Sequence, residues 1–163
     1  MTGTGLLTVL ETAGAPRGSL YHHFPGGKEQ LVVEALRFEA DRVTRDLVAL
    51  TASGCDEATA LRAFAEALAS SLETSGFRLG CPVSTAALEL SADTPAVREV
   101  CAATYAAWQA IVSEHLESLG YRADAARTRA EVVLAALEGA MLLARAAEDG
   151  NVIRRVAAAL SRE

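Results

Sequence analysis

"ETAGAPRGSLYHHFPGGKEQL", residues Glu11 to Leu31, gathers one arginine, one lysine, a tyrosine and two histidines between a Gly-Ala turn and a Pro-Gly-Gly break. Upstream, Thr4 is placed to cap a short helix whose Leu6, Val9, Leu10 and Ala13 follow the i, i+3, i+4, i+7 spacing, and Gly14 closes it. Pro16 suits the first turn of a second short helix, with Leu20 and Phe24 four apart on one face and Pro25-Gly26-Gly27 ending it. Two short helices joined by the tight turn Gly14-Ala15 have the layout of a helix-turn-helix, whose second helix enters the DNA major groove. Leu20 and Phe24 then face inward with Leu6, Leu10 and Ala13, leaving Arg17, Ser19, Tyr21, His22 and His23 outside or at helix ends. These are hydrogen-bonding types suited to phosphates and base edges. Gly18 lets backbone approach nucleic acid closely, and Lys28 opens the next helix, where its ammonium and the neighbouring N–H groups meet a phosphate. The same spacing also suits an ordinary solvated helix end, so periodicity alone leaves both readings open.

Composition bounds the rest. The 163 residues suffice for one well-packed domain, and a 51% hydrophobic fraction carried by Ala, Leu and Val, with few aromatics and many Glu and Arg, favours an all-α fold. No apolar run approaches the roughly 20 residues that span a bilayer, and the N-terminal stretch lacks the basic region of a signal peptide, so a cytoplasmic protein without membrane association is expected. Cys55, Cys81 and Cys101 form no CxxC pair and lie near no His at ligand spacing, which predicts reduced thiols and no metal or cofactor. The net charge of −6 is uneven: residues 1 to 28 carry +1 and the remainder −7, which permits DNA contact at the N-terminal end without demanding it.

Helix punctuation continues to the C-terminus. Lys28 to Leu50 reads as a long helix with Val32, Leu36, Val43, Leu47 and Leu50 in one stripe. Asp56 caps a helix bearing Leu61, Phe64, Leu68 and Leu72 up to Gly76, and Pro82 opens a short one. Thr94 caps a long helix with Pro95 in its first turn, the row Val97, Cys101, Thr104, Trp108, Ile111, His115 and Leu119, and Gly120 as its stop. Asp124 caps another through Ala147, in which "VVLAALEGAMLLA" is apolar nearly all round, and a last helix starts at Asn151. A helix apolar on more than one face needs more than one partner; Ala135, Ala136, Gly139 and Ala140 suit the close approach of a second subunit, with a plain core helix as the competing reading.

Catalytic signatures are missing. There is no GxSxG, "GTGLLT" lacks the third glycine of a dinucleotide fingerprint, and "PGGKE" lacks the spacing and hydroxyl of a phosphate-binding loop. An enzyme is not expected. Phe64, Leu68, Tyr105 and Trp108 are candidates to line an apolar effector pocket, with Cys81, Cys101 and Glu138 as its polar edges; ordinary core packing accounts for the same spacing.

The stretch "TGLLTVLETAGAPRGSLYHHFPGGKEQLV" resembles the second, third and start of the fourth helix of TetR-family transcriptional regulators. Its marks are alanine-glycine, a basic residue followed by glycine, a Leu-Tyr-x-His-Phe block and a lysine-led helix. "GCPVSTAALEL" and "ALEGAMLLARA" are similar to the ligand-binding half of the LmrA/YxaF-like subgroup. The resemblance implies a homodimeric repressor that leaves an inverted-repeat operator in double-stranded DNA when a small apolar or aromatic effector binds. By the same resemblance Arg17, Gly18, Ser19, Tyr21, His22 and His23 occupy the recognition helix, while Thr4 and Lys28 contact the DNA backbone. It divides the chain into a helix-turn-helix head with its connecting helix, residues 1–50, and a ligand-binding and dimerisation domain, residues 51–163. Two departures stand out. The Pro25-Gly26-Gly27 link is longer and less polar than in many relatives, which shifts the phosphate reach of Lys28. Only three residues precede Thr4, so the family's first helix is missing; either the sequence is a fragment of a longer chain, or its head is incompletely packed. A dimeric helical module that binds a ligand or partner without DNA is the alternative function.

Overall fold

Described in a computed structural model over residues 5–16, 18–90 and 92–162, the chain forms eight α-helices and, among those residues, no strand. They are α1 (Leu6–Thr12), α2 (Ser19–His23), α3 (Gly27–Ala52), α4 (Glu57–Thr74), α5 (Pro82–Glu89), α6 (Pro95–Ser118), α7 (Ala123–Ala147) and α8 (Asn151–Leu160).

Helix exits follow from hydrogen-bond accounting at the last turn. After α1, the Gly14 N–H bonds to the Glu11 carbonyl and the Ala15 N–H to that of Leu10, with Gly14 at φ +62°. This paired closure satisfies carbonyls that have no intrahelical partner, and its left-handed residue suits glycine. The same closure ends α7, but Glu148 holds the left-handed position at φ 50°. Helix entries match the sequence signals less evenly. Asp56 accepts the Thr59 N–H at 2.7 Å and caps α4. Thr94 stands at the N-cap of α6 without a side-chain bond, and Asp124 lies in the first turn of α7, one residue inside Ala123, because Arg122 takes the cap. Pro16 precedes α2 instead of opening it: its carbonyl accepts the Ser19 N–H and hydroxyl, and the helix starts at Ser19. Thr4 lies outside the described residues.

Two apolar clusters form the core. α4, α7 and α8 interlock through Leu61, Leu72, Val133, Leu137, Ile153 and Leu160, with small residues Ala65, Ala69, Ala140, Ala144 and Ala157 allowing close approach. α3, α5 and α6 pack through Leu36, Leu47, Val83, Val97, Cys101 and Trp108. Phe64 of α4 touches both clusters and joins them. The 26 residues of α3 make a rod of about 39 Å that lies mainly along α6.

Polar ties fix the termini of the bundle. Arg129 of α7 pairs with Glu57 at 2.7 Å and also donates to the Leu160 carbonyl, while the Tyr121 hydroxyl donates to the other Glu57 oxygen at 2.6 Å. Arg154 of α8 bridges Glu66 and Glu73 of α4, each at 2.7 Å. No helix among the described residues is long and apolar enough to cross a membrane.

Candidate nucleic-acid interface and effector cavity

The short α1–turn–α2 unit sorts its side chains by face. Leu10 and Leu20 are buried and Leu6 and Phe24 half-buried, whereas Tyr21 is 64% exposed and His22, His23 and Gly18 are exposed beside it. Ala13, expected inside, is exposed. It is the C-cap, where the chain has left the helical spiral that carries Leu6 and Leu10 inward. Ser19 is half-buried and its hydroxyl donates to the Pro16 carbonyl at 2.6 Å, so its remaining capacity toward another molecule is as an acceptor. Arg17 lies outside the described residues.

The link to α3 holds a contact that the sequence does not announce. Gly27, buried at φ +65°, lies beneath Tyr21: a Cβ added there would stand 3.6 Å from the tyrosine ring. The first residue of the rod thus lies beside an exposed aromatic of α2. Its start is steadied by Gln30, whose side-chain oxygen accepts the Gly26 N–H at 2.9 Å. Lys28 is exposed in the first turn, where unpaired N–H groups and the helix dipole favour an anion.

Farther along the rod, α3, α4, α7 and the start of α5 enclose a largely apolar cavity of about 90 Å³. Phe64, Leu68, Cys81, Trp108 and Glu138 line it, joined by Val43 and Leu47 of α3 and by Leu137 and Met141 of α7. Glu39 and Arg42 also line it from α3. The sequence analysis does not single out Val43 and Leu47 for the cavity, because their stripe looks like plain core until α4 is placed opposite.

Tyr105 and Cys101 do not line the cavity. The Tyr105 hydroxyl lies 2.6 Å from Ser84 Oγ and 3.3 Å from Glu138 Oε1, while Ser84 donates to Glu138 Oε2 at 2.5 Å. Tyr105 therefore sets the Glu138 carboxyl from behind and leaves Oε1 with only a long partner. Burial, added to the nearby Glu138 charge, pushes the Tyr105 phenol pKa up and keeps it a neutral donor. Cys101 faces α5 instead, its Sγ donating to the Val83 carbonyl at 3.6 Å. Cys101 and Trp108 do share one buried face of α6, but α5 crosses α6 over its first half and only Trp108 reaches the cavity wall. Trp108 is buried; its Nε1 donates to Thr44 Oγ1 on α3 at 3.0 Å, and its ring meets Tyr105 edge-on at 5.5 Å.

Cys81 caps α5, its sulfur accepting the Ser84 N–H at 3.4 Å. Burial first and the Glu138 charge second push its pKa up to about 11, so it is a neutral thiol at pH 7 and a poor nucleophile. Among the described residues no group of three or more His, Cys, Asp or Glu side chains could hold a metal.

Helices arranged in this way are those of the TetR fold. A TetR regulatory protein from Rhodobacter sphaeroides superposes with a TM-score of 0.88 at 23% identity, covering 99% of this chain and 88% of the other. A TetR transcriptional regulator from Legionella pneumophila gives 0.88 at 18% identity, covering 99% of this chain and 86% of the other. Sequence similarity narrows the class. The family described as "Transcriptional regulator LmrA/YxaF-like, C-terminal domain" matches residues 58–159. The HTH-type transcriptional regulator LmrA of Bacillus subtilis is 34% identical over 97% of this chain and 84% of its own length. An uncharacterized HTH-type transcriptional regulator of Mycobacterium tuberculosis, MT0206, is 31% identical over 90% of this chain and 76% of its own. The chain belongs to the LmrA/YxaF-like group of TetR-family transcriptional regulators, a family of DNA-binding regulators and not of enzymes.

Proposed function

We propose that the protein is a homodimeric repressor that releases an inverted-repeat operator when a small apolar or aromatic effector enters the cavity beside α3. The observation that carries this reading is the rod itself. Its first residue lies under Tyr21, and Glu39, Arg42, Val43 and Leu47 of the same helix line the cavity. At about 90 Å³ the cavity is smaller than the roughly 150 Å³ that holds a benzene ring, so a larger effector has to push its walls apart. α3 packs mainly on α6 and only lightly on α4, so tilting it moves Gly27 and α2 together.

In this reading residues 1–50 are the DNA-binding head with its connecting helix and residues 51–163 the effector-binding and dimerisation unit. Gly18, Ser19, Tyr21, His22 and His23 face the major groove with Arg17, while Lys28 and Thr4 meet phosphates. Phe64, Leu68, Cys81, Trp108 and Glu138 contact the effector, and Tyr105 holds Glu138 in place. Val132, Ala135, Gly139, Leu142 and Leu143 form an exposed strip along α7, and Leu142 is 65% exposed. That strip, with no atom within 4 Å of a Cβ built on Gly139, supports the symmetric helix pairing that places two recognition helices on one duplex.

Selection from a random duplex pool, followed by gel-shift titration, tests the DNA half. An inverted repeat should emerge, and Tyr21→Ala should weaken binding to it with the helical circular dichroism unchanged. Enrichment of no sequence, or unchanged affinity in the variant, would count against this face.

A further inference from the structure

We infer that the effector of this cavity is an amine on an apolar frame, bound in its ammonium form, and that Glu138 is its counter-ion. The inference rests on the reading of the cavity as the effector site and names what that site selects. Glu138 is half-buried on α7 and lines the cavity among mostly apolar walls such as Phe64, Leu68, Leu137 and Met141. Among the described residues no lysine, arginine or histidine forms an ion pair with it.

Two hydroxyl protons serve three contacts at this carboxyl. Ser84 Oγ lies 2.5 Å from Oε2 and 2.6 Å from the Tyr105 hydroxyl, so Ser84 donates to Oε2 and Tyr105 donates to Ser84. With its one proton spent, Tyr105 leaves Oε1, 3.3 Å away, without a strong donor. The Cys81 thiol beside the carboxyl donates only weakly. An effector that fills the cavity expels whatever water serves Oε1, and an uncompensated carboxylate in apolar surroundings is costly. The occupant therefore has to bring a donor to that oxygen.

The charge of the site sets the class of donor. An ammonium supplies both a proton and the opposite charge; an alcohol supplies only the proton, and a carboxylate adds repulsion. Arg42, which lines the cavity from α3, is already held by Glu39 at 3.0 Å and Asp46 at 3.5 Å, so the mouth does not compensate Glu138. Arg145, two turns along α7 from Glu138, is exposed at the rim, where a Cβ on Gly80 would stand 3.5 Å from its guanidinium. Trp108 in the wall adds attraction, because the face of an indole favours a cation.

The test titrates the full chain, 15N-labelled, with benzylamine, benzyl alcohol and ethylbenzene, which share one shape and differ in the terminal atom. At pH 7 benzylamine is protonated, as alkyl amines are. The indole signal of Trp108, the single tryptophan of the sequence, reports entry into the cavity. That ring is buried, so a cation merely gathered by the acidic surface leaves its signal in place. All three probes should shift it, with benzylamine binding about tenfold more tightly than benzyl alcohol. Glu138→Gln should weaken benzylamine about tenfold while ethylbenzene stays within about twofold. Ser84→Ala, which keeps the charge, should retain the preference for the amine. Benzyl alcohol binding as tightly as benzylamine, a preference that survives Glu138→Gln or is lost equally in Ser84→Ala, or benzylamine leaving Trp108 unmoved where ethylbenzene shifts it, would each overturn the inference and leave the cavity standing as an effector site. Failure of all three probes to move Trp108 would overturn it together with the effector-site reading.

Discussion

The bond between Trp108 and Thr44 joins α6 to α3 side chain to side chain, and it borders the cavity. Trp108→Phe removes the Nε1 donor and keeps most of the ring. A net hydrogen bond contributes about 0.5–1.5 kcal/mol, and the volume left by the lost pyrrole adds a comparable amount, so the variant should lose about 2 kcal/mol. For a chain of this length that is a fall in Tm of about 4–8 °C. Trp108→Ala is a poorer probe, since emptying this buried site costs about 3–5 kcal/mol and loosens the helix that carries the head. Thr44→Val deletes the acceptor from the other side. Urea unfolding of both single variants and the double variant, followed by circular dichroism, gives a cycle whose coupling should be about 1 kcal/mol. Additivity within about 0.3 kcal/mol would refute the claim that this bond ties α3 to the cavity wall.

Glu148→Gly should raise stability by about 0.5–1 kcal/mol, because glycine adopts φ 50° without the clash a Cβ brings; calorimetry showing a loss would mean the glutamate side chain contributes something beyond its backbone position. The Arg154 bridge predicts an acid-sensitive bundle. Hydrogen bonds from Arg154, then from Ser70, hold the Glu66 pKa down from 4.5 to about 2, and Arg154 also lowers that of Glu73. A depressed folded-state pKa contributes stability that is present above about pH 4.5 and lost as pH falls toward 2. Arg154→Gln should therefore lower Tm near neutrality and flatten its fall in acid; parallel Tm profiles for native and variant would rule the bridge out as the cause. Gly139→Glu should convert dimer to monomer in sedimentation velocity at micromolar concentration without loss of helicity, and a dimeric variant would remove this strip of α7 from the interface.

Local signals were legible in the sequence, and long-range ones were not. Asp56, Pro82, Pro95, Gly76 and Gly120 mark helix ends through chemistry confined to three or four residues, and each stands at or next to an observed boundary. Asp124 misleads because any acid in a first turn is favourable to the helix dipole, whether or not it is the cap. Ending α7 at Ala147 needs no glycine, since Glu148 takes the left-handed position under the constraint of α8 following at once. Phe64, Leu68 and Trp108 were visible as candidates through their size. Nothing in the spacing separates Trp108 from Cys101 and Tyr105 on the same helix, because their fates depend on where α5 crosses. The Ser84–Tyr105–Glu138 network joins three helices and exists only once they meet.

The direct test of a cavity coupled to a DNA face is a reciprocal pair of titrations. An apolar aromatic compound that shifts the Trp108 indole signal is selected first, and operator affinity is measured with and without it, then its own affinity with and without operator. A two-state rod requires both affinities to fall by one common factor, about 5- to 150-fold for a coupling of about 1–3 kcal/mol. A compound that fills the cavity yet leaves both affinities unchanged would contradict the account.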